Sequence, residues 1–238
     1  MKSKRINTFT GNLFGFFLFL FFTFLLNACS SDNDGIDSSG SGGKDKSSYP
    51  VAKAIDLGLP SGTKWASWNV GASSPEQCGG YYAWGETEVK SRYDWSTYKY
   101  GRDSEDCDYI GEDIAGTQYD VAHVKWGGSW RMPSIEQIKE LADNCFMTWT
   151  QYNGTNGVLI TGPNGNTIFL PAAFYYLNSN ESPDVMDIGY YWSSSLFTKW
   201  GNGASYLCFY FSTTSVTFYC PGSGRSRFFG HSVRAVCL

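Results

Sequence analysis

The sequence predicts an α+β domain, and three observations lead there. Helical periodicity is confined to one stretch, WRMPSIEQIKELADNC (130–145). Short alternating runs bounded by Gly, Pro and Asn fill the rest, most densely toward the C-terminus. The chain also carries 27 Gly and 18% aromatic residues, a balance that suits short strands and structured loops rather than a bundle. A helix early and sheet late is the α+β order.

The elements follow in sequence. AKAIDLGLPSGTKWASWNVG (52–71) reads as a hairpin: Ile55, Leu57 and Leu59 alternate, Pro-Ser-Gly turns the chain, and Trp65, Ser67 and Asn69 alternate against Ala66, Trp68 and Val70. GGYYAWGE (79–86) reads as a short aromatic strand, and residues 87–118 as a polar excursion over the surface. Ser134 caps the helix with Gln137 completing a capping box, while Ile135, Ile138, Leu141 and Cys145 line one face. A hairpin around Pro163-Asn164-Gly165 (157–173), a strand GYYWSSS (189–195), and the closing segments ASYLCFYFSTTSVTFYC (204–220) and GHSVRAVC (230–237) complete the domain.

The first 28 residues differ in kind. Lys2, Lys4 and Arg5 precede an apolar run from Leu13 to Leu26. As a helix that run rises about 21 Å, short of the roughly 30 Å hydrocarbon layer, so residues 1–28 read as a secretory signal rather than a span. LNAC (26–29) resembles a bacterial lipobox, which implies acylation of Cys29 and an anchor in the membrane. SSDNDG (30–35) resembles the acidic export tag of surface-displayed lipoproteins, implying an outer-membrane protein facing outward. Residues 29–48 are, after Cys29, Ser, Gly, Asp and Lys with one Asn and one Ile, a flexible linker averaging about 25 Å end to end. The folded domain is then 49–238, long enough for one real core.

Charge narrows the partners. The leader holds three of the 18 Lys and Arg, leaving 15 against 22 Asp and Glu, a net −7. No basic stripe appears, which argues against nucleic acid. Six cysteines follow Cys29, at 78, 107, 145, 208, 220 and 237; an exported chain can oxidise them in any of fifteen pairings. Cys145 ends the helix and Cys237 nearly ends the chain, making them the first pair to test. Without a CxxC or Cys/His cluster, no structural zinc site is expected.

DLGLPSGTKWASWNVGA, GGYYAWGET, YDVAHVKWGGSWRMPSIEQIKEL, FLPAA, GYYWSSS and HSVRAV occur in this order. Together they resemble the Fibrobacter succinogenes major paralogous domain family over nearly all of 52–238. That resemblance implies a C-type-lectin-like fold, distantly related to formylglycine-generating sulfatase-modifying enzymes, and lectin-fold relatives present late residues as a ligand-binding surface. Fold alone does not name an activity.

Catalysis and metal binding both lack their residues. Asp120 lies three residues before His123, and Ser193, Ser194 and Ser195 supply hydroxyls, but nothing in the sequence aligns a relay; a turn cap is the expected role of Asp120 and His123. Cys208 and Cys220 lie twelve apart, unlike the close pair of the sulfatase-modifying relatives. Calcium-dependent lectins of this fold show Glu-Pro-Asn and Trp-Asn-Asp type motifs, which are missing here. The acidic loop NESPDVMD (180–187) reads as solvated. No enzyme, cofactor or required metal is expected.

The late strands remain. By period two, Leu207, Phe209 and Phe211 share one face and Tyr206, Cys208 and Tyr210 the other. Past the STTS turn, Thr217 and Tyr219 point outward, and by parity a 208–220 bridge needs a bulge or bent strand. Flanking loops add Trp200, Asn202, Arg225 and Arg227, so the expected ligand surface comprises these four with Tyr206, Tyr210, Thr217 and Tyr219. Exposed aromatics beside Asn and Arg suit sugar stacking and protein hot spots alike. Trp65, Trp84, Trp126, Trp130 and Trp192 are read as core, and Arg131 and Arg234 as structural ion-pair formers. The expectation is a non-enzymatic module recognising an extracellular protein or carbohydrate through 197–229. A structural envelope or adhesin component, or an enzyme of unrecognised chemistry, are the alternatives.

Overall fold

The computed structural model describes residues 50–181, 187–199, 201–212, 215–219 and 224–238, with the side chains at 180, 181, 212, 215, 216, 218 and 219 outside that description. The chain divides into two compact units, Met1–Gly43 and Lys44–Leu238, and everything described lies in the second. The leader, Cys29 and the linker therefore lie outside the described residues, as do Trp200 and Cys220. Among the described residues no helix is long and apolar enough to cross a membrane.

β1 (Ala54–Asp56) and β2 (Lys64–Ala66) form the expected hairpin, with Ile55 opposite Trp65. The strand expected at 79–86 is absent: only Tyr82 makes a bridge, to His231. Gly79 and Gly85, at φ 73° and 84°, take the left-handed conformation that interrupts an extended run. The excursion that follows is turn-rich as expected. α1 (Val121–Trp126) then forms on the cap supplied by Asp120, and α2 (Ile135–Asn144) on the predicted box. There the Gln137 amide donates to Ser134 Oγ at 3.3 Å and the Ser134 amide to Gln137 Oε1 at 3.0 Å.

β3 (Phe146–Tyr152), β4 (Thr155–Thr161) and β5 (Thr167–Pro171) make an antiparallel sheet. After β6 (Tyr176–Leu177) and β7 (Asn180–Glu181) come the long strands β8 (Ile188–Leu196) and β9 (Gly203–Ser212). The last strands are β10 (Ser215–Tyr219), β11 (Arg225–Ser226) and β12 (Val236–Cys237). β8 and β10 both pair with Cys208, Phe209 and Tyr210, so they flank β9 on opposite edges. Ala204 pairs with Leu196 on one side and Arg225 on the other, which puts β11 end to end with β10. β12 returns to β2 and closes the domain on its own beginning.

This β8–β9 sheet separates two cores. On one face Tyr191, Leu207 and Phe209 pack with Ile138 and Leu141 of α2 and with Val158 and Ile160 of β4. The other face sets Trp192 and Ala204 against Tyr82, Trp84, Val121 and Trp126. Each large side chain removed from water contributes about 1.5–3 kcal/mol. Trp65, Trp84 and Trp192 are fully buried and Trp126 nearly so, while Trp130 is half-buried against the second cluster.

A register shift between Trp192 and Leu196 frees the triple serine to act as a junction. Ser193 Oγ donates to the Ser205 carbonyl at 2.8 Å, and the Ser193 carbonyl accepts from Trp84 Nε1 at 2.9 Å. Ser195 Oγ accepts from the first amide of α2 at 3.1 Å. These hydroxyls hold elements together.

Candidate functional site

The outer face of the β8–β9 sheet begins sealed and ends open. Trp192, Tyr190 and Ile188 share it with Tyr206, Cys208 and Tyr210, their cross-strand partners. Trp192 is fully buried; Tyr190 and Tyr206 are half-buried; Tyr210 is 40% exposed. Thr217, opposite Tyr210, and Arg225, opposite Ala204, extend the same surface. Period-two reasoning therefore places Tyr206, Tyr210 and Thr217 together as expected. Cys208 is covered rather than open, with its thiol pushed up to about 11 by burial. Phe211 keeps the inner face but lies at its end, 38% exposed and stacked on Trp149 at 5.2 Å.

Arg225 is the centre of this surface. Its guanidinium carbon lies 4.2 Å from the Tyr175 ring centroid, 4.5 Å from Phe229 and 4.7 Å from Tyr190. Tyr175 stands perpendicular to Tyr190 (88°) and at 70° to Phe229, so the rings wall the cation on several sides. Electron-rich faces attract a guanidinium but offer it no acceptor atoms. Nε is buried without a hydrogen-bond partner. No Asp or Glu among the described residues makes an ion pair with Arg225; the four pairs found there involve Lys90, Arg92, Arg102 and Lys125.

His231 forms the floor. It is fully buried, stacked on Trp192 at 4.0 Å, with both ring nitrogens unpartnered. Burial, reinforced by the Arg225 charge, lowers its pKa well below the ordinary imidazole range, so the ring stays neutral. Burial likewise pushes the Tyr190 phenol up to about 12. The surface thus presents one cation framed by uncharged rings.

Two of the expected ligand residues belong to the scaffold instead. Arg227 is 1% exposed; its Nη1 and Nη2 both donate to the Asp108 carbonyl at 3.0 Å. β11 ends at Ser226, so Arg227 lies in the following turn and points inward, where Arg225 points out. Asn202 donates through Nδ2 to the Ser104 carbonyl at 2.8 Å, pinning the same excursion. Trp200 lies outside the described residues, and so does the Tyr219 side chain, although its backbone pairs with Cys208. Sequence reasoning missed Tyr175, Tyr190 and Phe229. Parity carried from β9 across to β8 finds Tyr190; no sequence signal marks the other two.

The Cys145–Cys237 pair is not formed; both carry free thiols. Cys145 sits beside Glu140 at the end of α2, whereas Cys237 is turned toward Ser129, Arg131 and Lys64. Arg234 makes no ion pair among the described residues; it donates to Asn69 Oδ1 and to the carbonyls of Ala66 and Phe169 at 2.7–2.9 Å. Asp120 accepts four backbone amides, from Gly116, Ala122, His123 and Met132, at 2.8–3.1 Å. It meets His123 through the backbone, as a cap. In the acidic loop, Asp187 Oδ1 accepts from Asn156 Nδ2 at 3.2 Å, while Asp184 and the Glu181 side chain lie outside the described residues. Among the described residues no group of three or more His, Cys, Asp or Glu is placed to hold a metal.

A shallow cleft of about 430 Å³ lies elsewhere, where α2 begins beside the end of β8. Glu112, Asp113, Glu136 and Lys139 line it, and Ser195 on its wall is already committed to the helix. No family model matches the chain, and no curated protein or solved structure is significantly similar to it.

Proposed function

We propose that this chain is a lipid-anchored outer-membrane protein, displayed outward, whose domain is a non-enzymatic recognition module for an extracellular protein or glycan. Within this reading it is a member of the Fibrobacter succinogenes major paralogous domain family with a C-type-lectin-like architecture. The α+β order and the return of β12 to β2 support that architecture. One observation carries the recognition reading: Arg225 is held by three rings without a described carboxylate, next to half-buried Tyr206 and exposed Tyr210. Rigid aromatic rings around a cation give large contact area at low conformational cost.

The test is a glycan and extracellular-protein array probed with the full chain in detergent, beside a Tyr206→Ala, Tyr210→Ala, Arg225→Gln triple variant. Binding that the triple variant loses, with its melt preserved, supports the reading; binding that it retains places the site elsewhere. Metabolic acyl labelling of wild type against Cys29→Ala, with protease shaving of intact cells, tests anchor and display.

A second reading, a structural envelope component, draws on edge strand β3. It leaves Phe146 82% and Tyr152 43% exposed. Such an edge can pair or pack with sister chains. Sedimentation of the wild type against Phe146→Lys separates the readings: a structural subunit self-associates through that edge, and a soluble-ligand receptor does not depend on it.

A further inference from the structure

We infer that the Arg225 nest is the subsite for the carboxylate of an acidic sugar residue, such as a uronic or sialic acid. The inference rests on the recognition reading above and names its ligand class. Three features carry it.

The first is unmet chemistry. A half-buried guanidinium has planar donors matched to a carboxylate, which it grips through two parallel hydrogen bonds. Here rings supply the surroundings, Nε has no acceptor, and no described carboxylate pairs with the charge. Arg227 and Arg234 differ in what their other donors do: Arg227 shares the unpartnered Nε but spends both Nη groups on backbone carbonyls, and Arg234 donates to two carbonyls and an amide oxygen, whereas no described hydrogen bond uses the Arg225 side chain. The second is the floor. His231 is uncharged, so it neither competes for the anion nor adds a second charge to desolvate.

The third feature is shape. Tyr175 and Tyr190 stand perpendicular around the cation, and Tyr206 lies 5.8 Å beyond Tyr190, tilted by 34°. Tyr210 continues the row along β9 into solvent. A track of phenol rings offers apolar faces for the C–H side of pyranoses and hydroxyls for their edges. An acidic peptide side chain, which has no ring to stack, uses the cation but not the track.

The experiment is calorimetric titration of the full chain in detergent with matched pairs: glucuronate oligosaccharides against their carboxyl-reduced forms, and sialyllactose against lactose. At least one acidic member is expected to bind about tenfold or more tighter than its neutral partner, with the advantage shrinking as salt rises. Arg225→Gln is expected to erase the advantage while its melt overlaps the wild type, and Arg225→Lys to restore part of it. No advantage for any acidic member, or an advantage that survives Arg225→Gln, overturns the inference. Neutral-glycan or protein binding that needs Tyr206 and Tyr210 but not Arg225 overturns the ligand class alone. Binding indifferent to all three residues overturns the recognition face itself.

Discussion

Around Arg234 the protein surrounds a guanidinium with oxygen; around Arg225, nine residues earlier, it surrounds one with rings. Arg234 is fully buried, bonded to β2, to Asn69 and to β5, and burial still brings its pKa down to about 10. Two stretches distant in sequence, 66–69 and β5, meet on that one side chain. Arg225 joins nothing to anything through described hydrogen bonds of its side chain, and it stays partly exposed. The same chemical group thus serves as an internal clamp in one region and as an unspent charge in the other. A buried donor whose partners are all internal stabilises the fold, whereas one left among rings at the surface is available to something outside.

Substitutions break this comparison in order of size. Arg234→Met strands three buried acceptors and is expected to destabilise the domain by about 3–5 kcal/mol, visible as a collapsed melting transition. Next comes Asp120→Asn. Its two carboxylate oxygens each accept two amides, so an amide nitrogen in place of one oxygen faces two donors. A loss of about 2–4 kcal/mol in chemical denaturation is expected.

The His231 effect is smaller and depends on pH. Its folded pKa is lowered, so between that value and about 6.5 the unfolded chain binds the extra proton and stability falls on acidification. His231→Phe, which keeps the stack on Trp192, is expected to flatten the wild-type decline below pH 6.5 by up to about 1.4 kcal/mol per pH unit. Parallel acid slopes in denaturant titrations contradict the neutral-floor account. Arg225→Gln comes last, with a stability change of about 1 kcal/mol or less, the scale of partly exposed cation–π contacts.

Much of the scaffold is legible because its signals are local. Ser134 and Gln137 announce α2, and Pro163-Asn164-Gly165 announces the β4–β5 turn. β3 escaped although Asn153-Gly154, at φ 48° and 85°, is the strongest short hairpin signal. Its alternation runs against expectation: Phe146 and Tyr152 face solvent, while Met147 and Trp149 pack inward. α1 is six residues long and depends on the buried Asp120 cap, so little periodicity marks it. At the site, alternation finds Tyr206, Tyr210 and Thr217 because they share one ladder. Arg225 and Arg227 are indistinguishable in sequence; only the end of β11 turns one out and the other in. Tyr175 and Phe229 arrive from loops, which alternation does not reach.

The central claim is that the outer face of β8–β9, around Arg225, is where the ligand sits. Amide hydrogen exchange on the full chain, with and without a ligand taken from the array, tests it most directly. Slowed exchange across 203–212 and 225–231, with β3–β5 and the cleft beside α2 unchanged, is the predicted result. Protection confined to 146–171 or to 112–139, with the Arg225 face exchanging as before, contradicts it.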